Sequence, residues 1–295
     1  MDYGIVLPHF GSFARQEAAG RIIAVAEAAE SLGYSTAWVI DHLVLPAKVE
    51  GGYAFNPLDP FLEPITVLGA VALRTSRIKL GTAVLVLPYR HPIYTAKALA
   101  TVDVLSGGRL VVGVGAGWME PEFAALGVPI AERGSRTNET IDVLKALWTE
   151  DVPSYDGRHF QFSNIKSVPQ PIQKPRPPIL VGGMTKGALH RVVRCADGWI
   201  ALGKSPADLK QPLETLREMA VKAGRKPAEL HISMLPISAS SLDQVIEDLP
   251  RYAEMGVQHL YLSMRAWTTE FSRFMELMGR FADAAGLTNQ QSAAT

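Results

Sequence analysis

Asp41 and His42 are the adjacent pair in this chain best suited to move a proton. An imidazole titrates near neutral pH, and a neighbouring carboxylate can orient it or hold its proton. The same pair could equally be structural, with Asp41 capping a loop and His42 packing beneath it. A second candidate is the run Leu180-Val181-Gly182-Gly183-Met184-Thr185, followed by Lys186 and a helical pattern. Backbone N–H groups at a helix start, with no Cβ in front of them, form a phosphate cradle. Thr185 could add a hydroxyl and a cap, and Lys186 a charge. A tight turn that needs glycine only for its shape is the other reading. The third feature is the stretch from Ile78 to Trp118, where two strands end in small residues: Gly81-Thr82-Ala83-Val84 and Gly113-Val114-Gly115-Ala116-Gly117. Side chains trimmed at a strand end let a flat or phosphorylated ligand lie against the backbone.

Several chemistries are disfavoured by the same residues. Trp118 stands where the last glycine of a G-x-G-x-x-G dinucleotide fingerprint belongs. His9 is alone where a barrel metal site would place a His-x-His pair, so no metal is expected. There is no phosphate-binding Walker motif and no serine elbow. The single cysteine, Cys195, rules out an internal disulfide and lies on an apolar helical face, as a core residue would. Lys plus Arg and Asp plus Glu both number 29, which gives no hint of nucleic acid or a membrane surface. The start of the chain lacks a signal-peptide layout, and Arg74, Arg77 and Lys79 interrupt the longest apolar run. The expectation is a cytoplasmic protein acting on a small molecule.

These candidates must be carried by alternating elements. Short β-branched runs at 3–7, 37–40, 78–84, 110–113, 179–181, 199–202, 231–235 and 259–262 predict strands. Helical periodicity falls at 15–32, 63–73, 93–105, 133–148, 186–195, 209–223, 242–255 and 270–285. Eight strands each followed by a helix predict an α/β fold, a (β/α)8 TIM barrel, with a doubly wound sheet as the alternative. Insertions are expected after strands two (41–62) and four (152–178), the latter with a hairpin at YDGRHFQF. Residues 1–286 read as one domain and 287–295 as a frayed tail. The strand ends then deliver to one rim His9, Asp41, His42, Thr82, Ala83, Val84, Gly115, Trp118, Gly182, Gly183, Met184, Thr185 and Arg265. Trp118 and Trp267, just past strand ends, suit either a substrate wall or packing, and Trp38 and Trp199 read as core.

The combination AWVIDHL, LGTAVLVLPYRHP, LATVDVLSGGRLVVGVGAGW, EFAALGVPIAERGSRTNE, YDGRHFQF and LVGGMTKGALHRVVRCADGW resembles the bacterial luciferase-like superfamily, nearest its small F420-dependent oxidoreductase branch. The resemblance covers nearly the whole chain. It implies a (β/α)8 barrel and a non-proline cis peptide at Ala83-Val84, propping a flavin or deazaflavin ring into a bent shape. It puts Thr82, Ala83, Val84, Gly115 and Asp41 at the cofactor and Gly182, Gly183, Met184 and Thr185 at its phosphate. His42 would be proton donor or ring-side stabiliser, with Asp41 setting its orientation, and His9, Trp118 and Trp267 would face substrate. Coenzyme F420 is the implied cofactor. The alternative is FMN/FMNH2 in a two-component monooxygenase supplied by a separate flavin reductase, and a third reading is a flavin-binding protein without turnover. A homodimer is implied. Two positions depart from the pattern: Ala116 replaces an arginine that some flavin-using members carry, and Trp118 replaces the glutamate of the sugar-phosphate dehydrogenases.

Overall fold

The computed structural model describes residues 1–15, 17–47, 56, 58–203, 205–237 and 239–288. In chain order its main elements are β1 (Asp2–Val6), α1 (Ala18–Leu32), β2 (Thr36–Val39), α2 (Pro64–Ala72), β3 (Lys79–Thr82), β4 (Leu85–Val86), α3 (Pro92–Ser106) and β5 (Leu110–Gly115). Next come α4 (Glu120–Ala125), α5 (Arg133–Thr149), β6 (Tyr155–Asp156), β7 (Gln161–Phe162), β8 (Ile179–Gly182), α6 (Lys186–Cys195) and β9 (Gly198–Gly203). The chain closes with α7 (Pro206–Lys222), β10 (His231–Pro236), α8 (Leu242–Glu254), β11 (His259–Leu262) and α9 (Phe271–Ala284). The parallel sheet runs β3-β2-β1-β11-β10-β9-β8-β5-β4 and closes on itself where β3 pairs with β5. Since β3 and β4 are halves of one interrupted strand, this is an eight-stranded barrel.

Period-two alternation along each strand sorts residues to its two faces. Ile5, Leu80, Val112, Val181, Trp199 and Leu260 point outward and pack under the helices. Val6, Trp38, Leu180, Ile200 and Tyr261 point inward and fill the barrel. Trp38 and Trp199 are thus core residues, as read from the sequence. Helix α1 buries Ile22, Val25, Ala26 and Ala29 on one stripe and stops at Gly33, whose φ of 90° few other residues adopt. Helix α2 starts at Pro64 behind Glu63, whose carboxylate caps the Thr66 N–H at 2.7 Å.

The interruption of strand three positions the site. Gly81 pairs with Val111 and Leu85 with Val114, so four residue steps on one strand face three on the other. That extra residue is a bulge, and its centre is the Ala83-Val84 peptide, which is cis. The Thr82 hydroxyl braces it by donating to the Gly113 carbonyl at 2.7 Å.

The hairpin of β6 and β7 follows α5 and lies within the expected insertion at 152–178. It is held to α5 by Glu139, whose carboxylate accepts from the Arg158 and His159 N–H groups. The element directly after strand four is α4. Leu287, expected in the tail, is buried in the core. Residues 289–295, and 48–55 and 57 of the second-strand insertion, lie outside the described residues.

Candidate functional site

The rim is organised around the bulge. Val84 is β-branched, and its two methyl groups rest over two bare backbones. A Cβ at Gly115 would lie 2.5 Å from one methyl, and a Cβ at Gly182 would lie 2.5 Å from the other. Nothing larger than glycine fits there without moving a stiff side chain. This corrects the reading of the small residues. Gly115 and Gly182 are trimmed to seat Val84, not to let a ligand touch the strands. The surface a flat ligand could meet is the partly exposed Ala83-Val84 pair itself, which lies against the inward-facing core.

Asp41 secures this bulge. Its Oδ2 accepts from the Val86 N–H at 2.8 Å, just beyond the bulge. The Arg90 guanidinium grips both carboxylate oxygens, at 2.5 and 2.9 Å. Arg90 also reaches Glu63 at 3.1 Å, which ties the pair to the start of α2. Burial pushes the Asp41 carboxyl upward, while Arg90 and the Val86 N–H pull against it. With three N–H donors aimed at it, the group is a carboxylate paired to a guanidinium. The expectation that Asp41 orients His42 therefore fails. Its oxygens are committed to Val86 and Arg90.

His42 is oriented by Glu122 instead. The imidazole Nδ1 lies 2.9 Å from Glu122 Oε2. The other oxygen, Oε1, accepts from the Leu43 and Val44 N–H groups at 2.5 and 3.2 Å. The Tyr89 hydroxyl donates to Oε2 at 2.8 Å. Burial raises the Glu122 carboxyl, but the bonds from His42, Leu43 and Tyr89 outweigh it and leave it below the ordinary range. A carboxylate on Nδ1 makes that nitrogen the donor, so the neutral ring carries its lone pair on Nε2. Trp118 is 55% exposed and meets the His42 ring edge-on at 6.2 Å, while Phe61 does so at 5.2 Å.

At the start of α6 the chain makes a glycine turn into a capped helix. Gly183 has φ of 120°, and its carbonyl accepts from the Trp199 indole at 2.8 Å. Thr185 caps the helix by accepting from the Ala188 N–H at 3.2 Å. Thr185 and Lys186 are exposed, and Met184 is half-buried beside the Leu202 N–H. The first N–H groups of any helix lack an acceptor within it, so this turn suits an anion.

Three expected site residues are not free to bind. His9 is fully buried, with Nδ1 at 2.9 Å from the Leu7 carbonyl and Nε2 at 3.0–3.1 Å from the Ile40 backbone. It joins the ends of strands one and two and offers no face to substrate. Thr82 is equally buried, with its hydroxyl spent on Gly113. Trp267 packs on the outer core and donates its indole N–H to Ala239 at 3.1 Å. The residues that sequence reading missed are Glu122, Tyr89, Arg90 and Glu63. Arg90 had a signal, as a lone charge at the end of the apolar run from Leu85. Glu122 had a weaker one, an acid beside Phe123 in a helix too short to need it for solubility.

A family model described as luciferase-like monooxygenase matches residues 1–293. An uncharacterized protein of Mycobacterium tuberculosis (strain ATCC 25618 / H37Rv) is 36% identical over 274 residues, covering 90% of this chain and 92% of that one. The F420-dependent glucose-6-phosphate dehydrogenase of Amycolatopsis mediterranei (strain U-32) is 33% identical over 213 residues, 70% of this chain and 60% of that protein. The FMNH2-dependent dimethylsulfone monooxygenase of Pseudomonas putida is 34% identical over 165 residues, 55% of this chain and 45% of that protein. Among solved structures, the monooxygenase RslO1 of Streptomyces bottropensis superposes with a TM-score of 0.80 at 24% identity, over 96% of this chain and 98% of that one. The bulged barrel, its rim and these matches lead to one conclusion: the chain belongs to the luciferase-like monooxygenase family of flavin- or F420-dependent enzymes.

Proposed function

We propose that the protein is an F420-dependent oxidoreductase that passes a hydride between the deazaflavin and a small organic substrate. The observation that carries this reading is the buried His42–Glu122 pair, next along the chain from the Asp41 carboxylate that secures the Ala83-Val84 bulge. When bound, the deazaflavin supplies the hydride chemistry. Ala83 and Val84 would support its ring, and Gly183, Met184 and Thr185 at the start of α6 would hold its phosphate. The residues fit such a group, since a half-exposed apolar ledge and an anion-suited helix start share one rim.

The chain's own part is proton handling. Glu122 fixes the proton of the neutral ring on Nδ1, so His42 accepts or delivers the transferred proton at Nε2. With the Nδ1 side held by Glu122, Nε2 is the atom that exchanges a proton with a substrate oxygen. Trp118, exposed at the edge of His42, would shield that proton from water. Ala116 supports F420 over FMN, because some flavin-using members carry an arginine at this position. The F420-dependent relative also matches a larger share of this chain than the FMNH2-dependent one.

The experiment is titration of the purified protein with F420 and with FMN, followed by absorbance or quenching of tryptophan fluorescence. Tight binding of F420 with none of FMN is expected. Binding of FMN alone would overturn the reading in favour of a monooxygenase fed by a separate reductase. Undiminished F420-dependent turnover by His42→Ala would remove the proton-transfer role.

A further inference from the structure

Arg265 lies just past the last barrel strand, in the turn Met264–Ala266, on the same rim as His42. Its guanidinium carbon lies 4.4 Å from the centre of the Phe10 ring. Phe10 stacks on Phe61 with centroids 5.0 Å apart, and Phe61 in turn meets His42. One aromatic wall therefore runs from the guanidinium to the imidazole. Gly11, at φ of 73°, gives the guanidinium a bare backbone to lie against, since a Cβ there would stand 3.0–3.1 Å from Nε, Cζ and Nη2.

Arg265 stands apart because its donors have no hydrogen-bond acceptor among the described residues. Other buried or half-buried arginines do have them. Arg90 holds Asp41 and Glu63, Arg109 holds the Ala72, Thr75 and Ile78 carbonyls, and Arg191 holds Asn138 and the Gly134 carbonyl. Arg265 makes no hydrogen bond or ion pair among the described residues, and its Nε is fully buried. Asp59, the acid whose charge acts on Arg265, is already gripped by Arg15 at 2.8 and 3.1 Å. A half-buried donor fork without an acceptor destabilises the fold, and native structures retain such groups where a ligand completes them.

We infer that Arg265 is the substrate-reading residue of this rim, and that the substrate carries an oxyanion, a carboxylate or a phosphate, held by the Arg265 fork. This rests on the reading of the rim as the active site. The planar fork matches two oxygens at once, and stacking on Phe10 holds it in one orientation before the ligand arrives. His42 at the other end of the wall would then act on a functional group several bonds from the anion.

The test needs no cofactor. Thermal unfolding of the wild-type protein is monitored with sodium phosphate or sodium propionate, against sodium chloride at matched ionic strength. The variant Arg265→Met keeps the stem over Phe10 and removes the fork. A higher midpoint with phosphate or propionate in the wild type, absent in Arg265→Met, is expected, and the stronger of the two anions identifies which group the substrate carries. No response of the wild type to either anion, or an equal response of Arg265→Met, overturns the inference. Arg265→Lys, which keeps the charge, guards against a folding failure of the methionine variant and should retain roughly half of the shift or less. A lysine shift equal to the wild type's would overturn two-point recognition. Because the anion response is read without F420, failure here leaves the cofactor reading standing, and failure of F420 binding leaves the anion response intact.

Discussion

Two clusters of buried polar groups lie within the barrel, and they are built differently. At the rim, both oxygens of Asp41 and both of Glu122 accept hydrogen bonds, from Val86, Arg90, His42, Leu43, Val44 and Tyr89. In the interior, Trp38 Nε1, Ser233 Oγ, the Tyr261 hydroxyl and both ring nitrogens of His259 have no partner among the described residues. Their rings are nonetheless well packed, Trp38 against Tyr261 at 5.1 Å and His259 against Tyr261 at 5.8 Å. At the rim, hydrogen bonds fix where each group points and what charge it bears. In the interior, shape fixes the rings, and their polar atoms make no hydrogen bond among the described residues. The first arrangement suits chemistry. The second suits filling a barrel with large rings.

This contrast can be broken experimentally. The largest effect is expected at Asp41, because Asp41→Asn removes the two-point partner of the buried Arg90 charge and leaves it only the single contact to Glu63. Unfolding in urea should show a loss of about 3–5 kcal/mol. Glu122→Gln removes the charge behind His42 while keeping the size of the side chain. F420-dependent turnover should fall by about a hundredfold or more, and the unfolding midpoint should fall too, because the depressed Glu122 carboxyl contributes to stability and an amide cannot accept from all four donors. Nitrogen NMR of the His42 ring should show the proton no longer confined to Nδ1. At Gly182, alanine would collide with Val84, and overpacking of this kind costs about 1–3 kcal/mol; cofactor affinity should fall with stability.

The interior cluster should respond in the opposite sense. Burial, then His231 and Lys79, hold His259 down to about 3, against 6.5 for an ordinary histidine. Between those values the unfolded chain binds a proton that the folded one does not. This contribution to stability is therefore intact above about pH 6.5 and falls as the pH drops, by up to about 1.4 kcal/mol per unit. His259→Leu should flatten the acid side of the stability profile, read by urea unfolding between pH 7 and the acid limit of the native state. The smallest effect is expected at Tyr261→Phe. Deleting a hydroxyl without a partner should leave the midpoint unchanged or slightly raised, whereas a clear loss would mean that the two clusters are not built differently after all.

The range of each interaction decides how much of this was legible beforehand. The barrel was readable because strand alternation and helix stripes are local, as in residues 22–32 of α1. The cis bulge came from the resemblance, since nothing in the dipeptide Ala83-Val84 marks it. Asp41 and His42 were found together, but their partners lie at Arg90 and Glu122, 49 and 80 positions away. No spacing rule reaches that far. The adjacency of Asp41 and His42 even misled, by suggesting that they serve one another when each faces its own partner. The glycines misled in a related way: bare backbone was read as room for a ligand, and at Gly115 and Gly182 the occupant is Val84.

The interrupted third strand also changes the mechanics of the barrel. Strand β2 pairs with β3 only as far as Val39 and Thr82, and β4 pairs with β5 alone. Above that level the wall between strands two and three is joined by the Asp41 carboxylate bonded to the Val86 N–H, in place of a backbone carbonyl. The hoop is continuous at its base and split at its mouth, and the clasp across the split is a side chain. That clasp is also the group Arg90 grips, so the closure of the mouth depends on one buried ion pair. The strength of that closure can be read directly, since exchange of the Val86 amide with deuterated water requires its bond to Asp41 to break.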